Sequence, residues 1–288
     1  MPIEAVNLSF NYNKGTPFEQ EVLHDIDFQV KDGEFVGLIG PTRSGKTTLA
    51  QHLNALLIPQ SGRVIVDGFD TADKHTDLVY LRHRVGYVFQ NPDYQLFAPT
   101  VGEDIAFGPF NQKLIRSEVE NRVRVAMGQV DLDYDTFHDR DIYALSGGQK
   151  RRAAIAGVLA CEPKALILDD ITAGLDPRGR DDILRVIKTL HREQDITIIF
   201  ISSNMDEASV LAERIVVMNE GRIIMDDKPR QIIEQADELR HIGLELPEVN
   251  MIMEKLRRFG YELASDILSV EEAISVIAAI LRKKEGSN

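Results

Sequence analysis

Residues 35–40 read FVGLIG and residues 165–169 read ALILD, apolar runs without the alternation of a strand that has one wet face. Both are expected to be strands covered on two sides, and RVIVDG, VGYVF and TIIFIS add further strands. Between them lie stretches with helical character: KTTLAQHLNALL, SEVENRVRVAMGQV, GGQKRRAAIAGVLA and RGRDDILRVIKTLHR. This alternation predicts an α/β fold with a mainly parallel sheet. Before it come β-like runs, IEAVNLSF and VLHDIDFQV, set off by turn-forming NKGT and KDGE. IVVMNEGRIIM reads as a hairpin turning at Asn219, Glu220 and Gly221. After about residue 240 the pattern becomes helical in PEVNMIMEKLRRFG and SVEEAISVIAAILRKK, and the Gly-Ser ending is expected to fray.

Composition narrows the picture. The chain has 288 residues, 43% hydrophobic and 27% charged, enough for one large domain or one domain with an appendage. Lys and Arg total 33 against 46 Asp and Glu, a formal charge of −13, which argues against a nucleic acid partner. The lone Cys161 makes no internal disulfide, and MPIEAVNLSF lacks the marks of a signal peptide, so a cytosolic protein is expected. Apolar stretches such as ITIIFIS fall far short of the roughly 20 residues that span a bilayer. Work at a membrane would need another protein to hold the chain there.

The chemistry concentrates in three places. GPTRSGKT runs from Gly40 through Pro41, Thr42, Arg43, Ser44 and Gly45 to Lys46 and Thr47, between an expected strand and an expected helix. Backbone N–H groups of such a loop surround phosphates, the lysine reaches the β and γ phosphates, and the threonine hydroxyl binds Mg²⁺. Thr48 follows and is counted with the nucleotide contacts. In LILDDITAGLDP, Asp169 closes a buried strand and can carry a metal carboxylate, with Asp170 beside the reaction. LSGGQ opens an apolar-periodic helix, where Ser146 can cap while Gly147 and Gly148, followed by Gln149, let another chain's phosphate approach. A plain cap with two spare glycines is the alternative.

In this order the motifs resemble those of ATP-binding cassette ATPases over about residues 3 to 235. The resemblance implies a RecA-like phosphate-loop core, an antiparallel β subdomain and an α-helical signature subdomain at roughly 91–160. Together these form a cassette domain over 1–240, with a short helical extension over 241–288. It also implies head-to-tail pairing, each ATP with its Mg²⁺ lying between one subunit's phosphate loop and the other's LSGGQ. Tyr12 matches the aromatic that stacks on adenine, and Gln90 the glutamine that links Mg²⁺ and the attacking water to the membrane partner. Ala173, Gly174, Leu175 and Asp176 match the loop that crosses the dimer interface. Simpler roles stand beside these: Tyr12 as a strand aromatic, and Asp176-Pro177 as a helix start.

QHLNALLIPQSGRVIVDG, FQNPDYQLFAPTVGEDIAFGP, LSGGQKRRAAIAGVLA and LPEVNMIMEKLRRFGYEL are similar to ATPase subunits of energy-coupling-factor transporters, which import vitamins or cobalt and nickel ions in prokaryotes. The implied partners are a second ATPase subunit, identical or not, a membrane scaffold protein and a substrate-binding membrane subunit. The implied place is peripheral, on the cytoplasmic face of the cell membrane. Segment 91–109 is the expected docking groove for the scaffold's helices, with subdomain core as its alternative.

Three positions depart from the family. Asp170 stands where Glu is usual, its carboxylate roughly 1 Å or more short of the water-polarising position, and such misplacement costs on the order of 10²-fold in rate. Ile171 stands where Pro is usual. Ser203 replaces the switch histidine that contacts the γ phosphate, although Asn204 and Glu207 still read as a helix-capping pair. Arg43 occupies a loop position where Gly is usual and, if φ there is positive, costs roughly 1 kcal/mol or more. The expected function is therefore a transport ATPase with reduced hydrolysis, and the alternative is a non-hydrolytic ATP-binding subunit. A chromosome-structure clamp would need a long coiled coil between phosphate loop and signature, and no sustained heptads occur there.

Overall fold

The structure, a computed structural model, describes residues 1–261, 263 and 267–285, with side chains described up to residue 280. The fraying expected of the Gly-Ser ending falls on residues 286–288, outside the described residues. The strands are β1 (Ile3–Tyr12), β2 (Gln20–Val30), β3 (Phe35–Ile39), β4 (Ser61–Val66), β5 (Phe69–Asp70), β6 (Val85–Val88), β7 (Ala165–Asp169), β8 (Thr197–Ser202), β9 (Arg214–Asn219) and β10 (Arg222–Asp227). One sheet, in the order β10-β9-β3-β8-β7-β6, is parallel except for the β9–β10 hairpin. The other, β2-β1-β4-β5, is antiparallel.

The apolar runs do not alternate because each face of the parallel sheet has its own core. Phe35, Leu166, Leu168, Ile198, Phe200, Ile215 and Val217 enter a core beneath the helices. Their neighbours Val36, Leu38, Ala165, Ile167, Ile199, Ile201, Val216 and Met218 enter a second core shared with the antiparallel sheet. Successive side chains on a strand point to opposite faces, so two-sided burial demands apolar residues at every position.

The helices are α1 (Lys46–Leu53), α2 (Leu78–Arg84), α3 (Val101–Asn111), α4 (Arg116–Gln129), α5 (Tyr134–Phe137), α6 (Gly147–Leu159), α7 (Pro177–Gln194), α8 (Met205–Leu211), α9 (Pro229–Glu234), α10 (Ala236–His241), α11 (Glu248–Arg258) and α12 (Val270–Glu285). Helix α3 lies in the segment that the resemblance expects to belong to an α-helical subdomain and to carry the docking groove. Its start is held by the Thr100 side chain, which accepts from the Glu103 N–H, and Pro109, in its last turn, removes the backbone bond to the Ile105 carbonyl. Leu244 and Leu246 still pack in the main core, whereas Val249, Met253, Ile267 and Ala273 make a small core between α11 and α12.

His52 in α1 is a buried polar group with a measurable consequence. One ring nitrogen, Nδ1, lies 2.7 Å from the Thr48 carbonyl and must donate to it, which leaves the buried Nε2 without a partner among the described residues. Burial lowers its pKa from the ordinary 6.5, partly opposed by the Thr48 carbonyl. Below that pH the unfolded chain takes up a proton that the native state resists, so stability is complete above about 6.5 and declines as pH falls. Denaturant melts at pH 7.5 and 5.5 should therefore show a smaller acid loss for His52→Gln than for the unmodified chain. Equal losses would show that another group carries the dependence.

Candidate functional site

Strand register brings the candidate residues to one edge. Ile39 pairs with Ser202, Asp169 with Ile201, and Leu168 with Val88, so Gly40, Ser203, Asp170 and Phe89 all leave the sheet at the carboxyl ends of adjacent parallel strands. Crevices at such edges are where open α/β sheets hold ligands.

The loop from Gly40 to Gly45 curls around the Lys46 ammonium. Lys46 Nζ donates to the carbonyls of Gly40 at 2.8 Å and Pro41 at 2.9 Å, and to Ser44 Oγ at 3.3 Å. Gly40 leaves no room for a side chain, since a Cβ there would lie 2.2 Å from the Met218 carbonyl oxygen. Burial lowers the Lys46 pKa, while the charges of Asp170 and Asp169 raise it. Arg43 does adopt positive φ, 69°, so the conformational cost expected for a non-glycine residue applies. Its side chain is exposed and lines the cleft above the loop.

Asp169 is buried at the end of β7 and accepts two hydrogen bonds, from Thr47 Oγ1 at 3.2 Å and from Tyr87 Oη at 2.7 Å. Burial raises its pKa against the hydrogen bonds from Tyr87 and Thr47 and the charge of Lys46. Next to it, Asp170 accepts from Gln90 Nε2 at 3.0 Å, and its own N–H donates to the Ile201 carbonyl. Its pKa is raised by burial and then by the Asp169 charge. Asp170 has φ 48°, a conformation that Asp tolerates better than most residues. Ser203 is exposed just beyond β8.

A cleft of about 380 Å³ opens above the loop, lined by Tyr12, Glu21, His24, Arg43, Lys46, Thr47 and Thr48 among others. The Tyr12 hydroxyl lies 3.2 Å from Thr48 Oγ1 and its ring meets Phe10 edge-on, so the ring is both part of the strand's packing and a wall of the cleft.

Ser146, Gly147, Gly148 and Gln149 lie elsewhere, on a second cleft of about 610 Å³ with Gly174, Leu175 and Asp176. Ser146 and Gln149 form a reciprocal capping box at the start of α6, with Ser146 Oγ accepting from the Gln149 N–H and Gln149 Oε1 accepting from the Ser146 N–H. Asp176 caps α7 by accepting from the Gly179 N–H at 2.8 Å, with Pro177 in the first turn. Among the described residues, a Cβ on Gly147 or Gly148 would meet nothing within 4 Å, so no packing contact there requires glycine. The two clefts share no lining residue.

Within segment 91–109, Phe97 and Phe107 stand edge-on with centroids 4.8 Å apart, both exposed. They line an apolar groove of about 260 Å³ with Leu56, Phe89 and Val158. The buried Asp104 carboxylate holds the groove's rim by accepting from the N–H groups of Phe97 and Ala98.

Two residues that sequence reading passed over tie these parts together. Arg151 on α6 is buried and donates to the carbonyls of Phe89, Gln90 and Ala173, joining the helix after LSGGQ to the loops that carry Gln90 and Ala173. In GGQKRR it looks like part of a solvated basic face. Tyr87, which anchors Asp169, looks like one more apolar residue of VGYVF.

A family model described as ABC transporter matches residues 23–173. The Energy-coupling factor transporter ATP-binding protein EcfA2 of Clostridioides difficile (strain 630) is 49% identical over 98% of this chain and 98% of its own length. EcfA1 of Caldanaerobacter subterraneus subsp. tengcongensis is 43% identical over 96% and 98%. Among solved structures, cbiO1 from Clostridium perfringens, described as part of the ABC transporter complex cbiONQ, matches with a TM-score of 0.74 and 36% identity, over 88% of this chain and 98% of that one. A dimeric ATP-binding cassette bound to ADP and Pi matches with a TM-score of 0.71 and 28% identity, over 79% and 99%.

Proposed function

The chain belongs to the ABC transporter ATPases, among the ATP-binding subunits of energy-coupling factor transporters, and from this premise we propose that it binds MgATP between two head-to-tail cassettes to drive uptake of a vitamin or metal ion. The observation that carries the paired reading is the separation of the two clefts. Phosphate-binding groups line one and the open start of α6 lines the other, with no residue in common. In the paired reading, a nucleotide touches both because two chains face each other head to tail.

In this reading Lys46 and the N–H groups of the Gly40–Gly45 loop hold the phosphates, and Tyr12 stacks on adenine. Thr47 and Asp169 offer Mg²⁺ the hard oxygen donors it prefers, and their oxygens already converge at 3.2 Å. The bound ion would neutralise phosphate charge. Gln90, joined to Asp170 and followed by the apolar groove, connects the reacting end of the nucleotide to a scaffold docked at residues 91–109. Among the described residues no helix is long and apolar enough to cross a membrane, so that scaffold, with its substrate-binding membrane subunit, supplies the attachment at the cytoplasmic face. The cassette extends over 1–240 and the helical extension follows from 241. The short Asp170 and the exposed Ser203 also support slow hydrolysis, and in the limiting case a subunit that contributes ATP binding to a heterodimer while its partner hydrolyses.

Gly148→Asp tests the pairing. The new side chain has open space in the single chain, and an acid in the first turn of α6 suits the helix dipole, so folding should be unaffected. Against a γ phosphate the same carboxylate is a like charge in a poorly hydrated site, a juxtaposition that costs several kcal/mol. ATP-dependent dimerisation, followed by sedimentation, should weaken by about 10²-fold or more. An undiminished shift to dimer in this variant would count against the sandwich.

A further inference from the structure

Asn204 and Glu207 have the spacing of a capping box, yet only half of the box forms. The Asn204 side chain accepts from the Asp206 N–H at 2.8 Å, while Glu207 turns inward and is buried. One of its oxygens, Oε2, accepts from Thr172 Oγ1 at 2.8 Å and from Ser202 Oγ at 3.0 Å. The Ser202 hydroxyl in turn accepts from the Asn204 N–H at 3.0 Å. The other oxygen lies 3.9 Å from Nε of the partly exposed Arg180 on α7, and that nitrogen is shielded from solvent and has no hydrogen-bond partner among the described residues. A carboxylate so placed is costly unless donors and a cation surround it, and these three elements supply both.

What Glu207 joins gives the arrangement its meaning. Thr172 follows Asp170 closely in the loop after β7, and Ser202 immediately precedes Ser203 at the end of β8. We propose that Glu207 is a positioning residue for ATP hydrolysis, setting the separation between the loop that carries Asp170 and the loop that carries Ser203 by binding both through one oxygen. The proposal rests on the ATPase reading above. Glu207 itself touches neither nucleotide nor water in this scheme. It acts through Thr172 and Ser202, and loosening of the two loops by about 1 Å is enough to cost on the order of 10²-fold in rate.

The test uses the full chain, with single-turnover hydrolysis at saturating ATP and MgATP affinity by calorimetry. Glu207→Ala should slow hydrolysis about 10²-fold and leave ATP affinity unchanged, because the phosphate loop does not depend on this contact. Glu207→Gln should retain most of the rate, since its amide oxygen can accept from both hydroxyls. Thr172→Val and Ser202→Ala should each slow the reaction alone and do nothing more when added to Glu207→Ala, as members of one network. A normal rate in Glu207→Ala, full additivity of the hydroxyl variants, or parallel loss of ATP affinity would overturn the proposal. Should Glu207→Ala fail to fold, the two hydroxyl variants decide, and normal rates in both would overturn it. Binding of MgATP with no measurable hydrolysis in the unmodified chain would overturn the proposal, whereas failure to bind MgATP would overturn the ATPase reading, and both are visible before any variant is made.

Discussion

Replacing Asp170 by Glu and Ser203 by His together is expected to raise kcat for ATP hydrolysis by about 10²-fold or more, and by more than the product of the single effects. The Asp170 carboxylate lies within hydrogen-bond reach of Gln90, 3.0 Å away, and one more methylene would carry it farther toward the nucleotide. Ser203 is exposed at the adjacent strand end, where a serine hydroxyl is too short to replace an imidazole against the γ phosphate. In the proposed mechanism both groups act on the same transition state, so restoring one without the other leaves the water or the developing charge unsupported. Glu at a φ of 48° adds a strain on the order of 1 kcal/mol or less, too small to offset the gain. Single-turnover rates at saturating ATP separate this effect from binding. A brisk rate in the unmodified chain, insensitive to Asp170→Asn, would show that Asp170 is not the catalytic carboxylate.

Lys46→Ala should weaken MgATP binding by roughly 10²-fold, measured by calorimetry. Hydrogen bonds to charged groups are worth about 1.5–3 kcal/mol each, and the ammonium proposed to hold the phosphates also anchors the loop through the Gly40 and Pro41 carbonyls. Its loss removes a cation next to two carboxylates, Asp169 and Asp170, which then repel the nucleotide unopposed. The same loss relieves the burial of an ammonium, so the fold itself should be little affected. Unchanged ATP affinity in this variant would refute the assignment of the phosphate site.

Much of the architecture was legible in the residue pattern because burial on two sides leaves an unmistakable mark. Runs such as FVGLIG and TIIFIS predict covered parallel strands, and β3 and β8 lie where they do. The hairpin at Asn219, Glu220 and Gly221 is likewise present between β9 and β10. Segments with mixed signals were less legible. Helix α3 contains Gly102, Gly108 and Pro109, which argue against a helix locally, and packing on α4 and α6 overrides them. The Asn204 and Glu207 pair shows the opposite failure: a local motif with correct spacing whose acid takes stronger partners from two other elements.

By itself the sequence determined the chemistry on offer: a phosphate loop with its lysine and threonine, an acid pair at a strand end and a glycine-rich helix start. These are local in the chain, and each is recognisable because its function requires neighbouring residues in a fixed order. Only the tertiary structure decided which of them meet. Strand register placed Gly40, Asp170, Gln90 and Ser203 along one edge, while the starts of α6 and α7 put Ser146, Gly148 and Asp176 on a separate cleft. It also recruited Tyr87, Arg151 and Glu207, whose partners lie far away in the chain. Such contacts leave no periodic or spacing signal, because a hydrogen bond between distant segments is set by the packing of whole elements and not by the residues next to it.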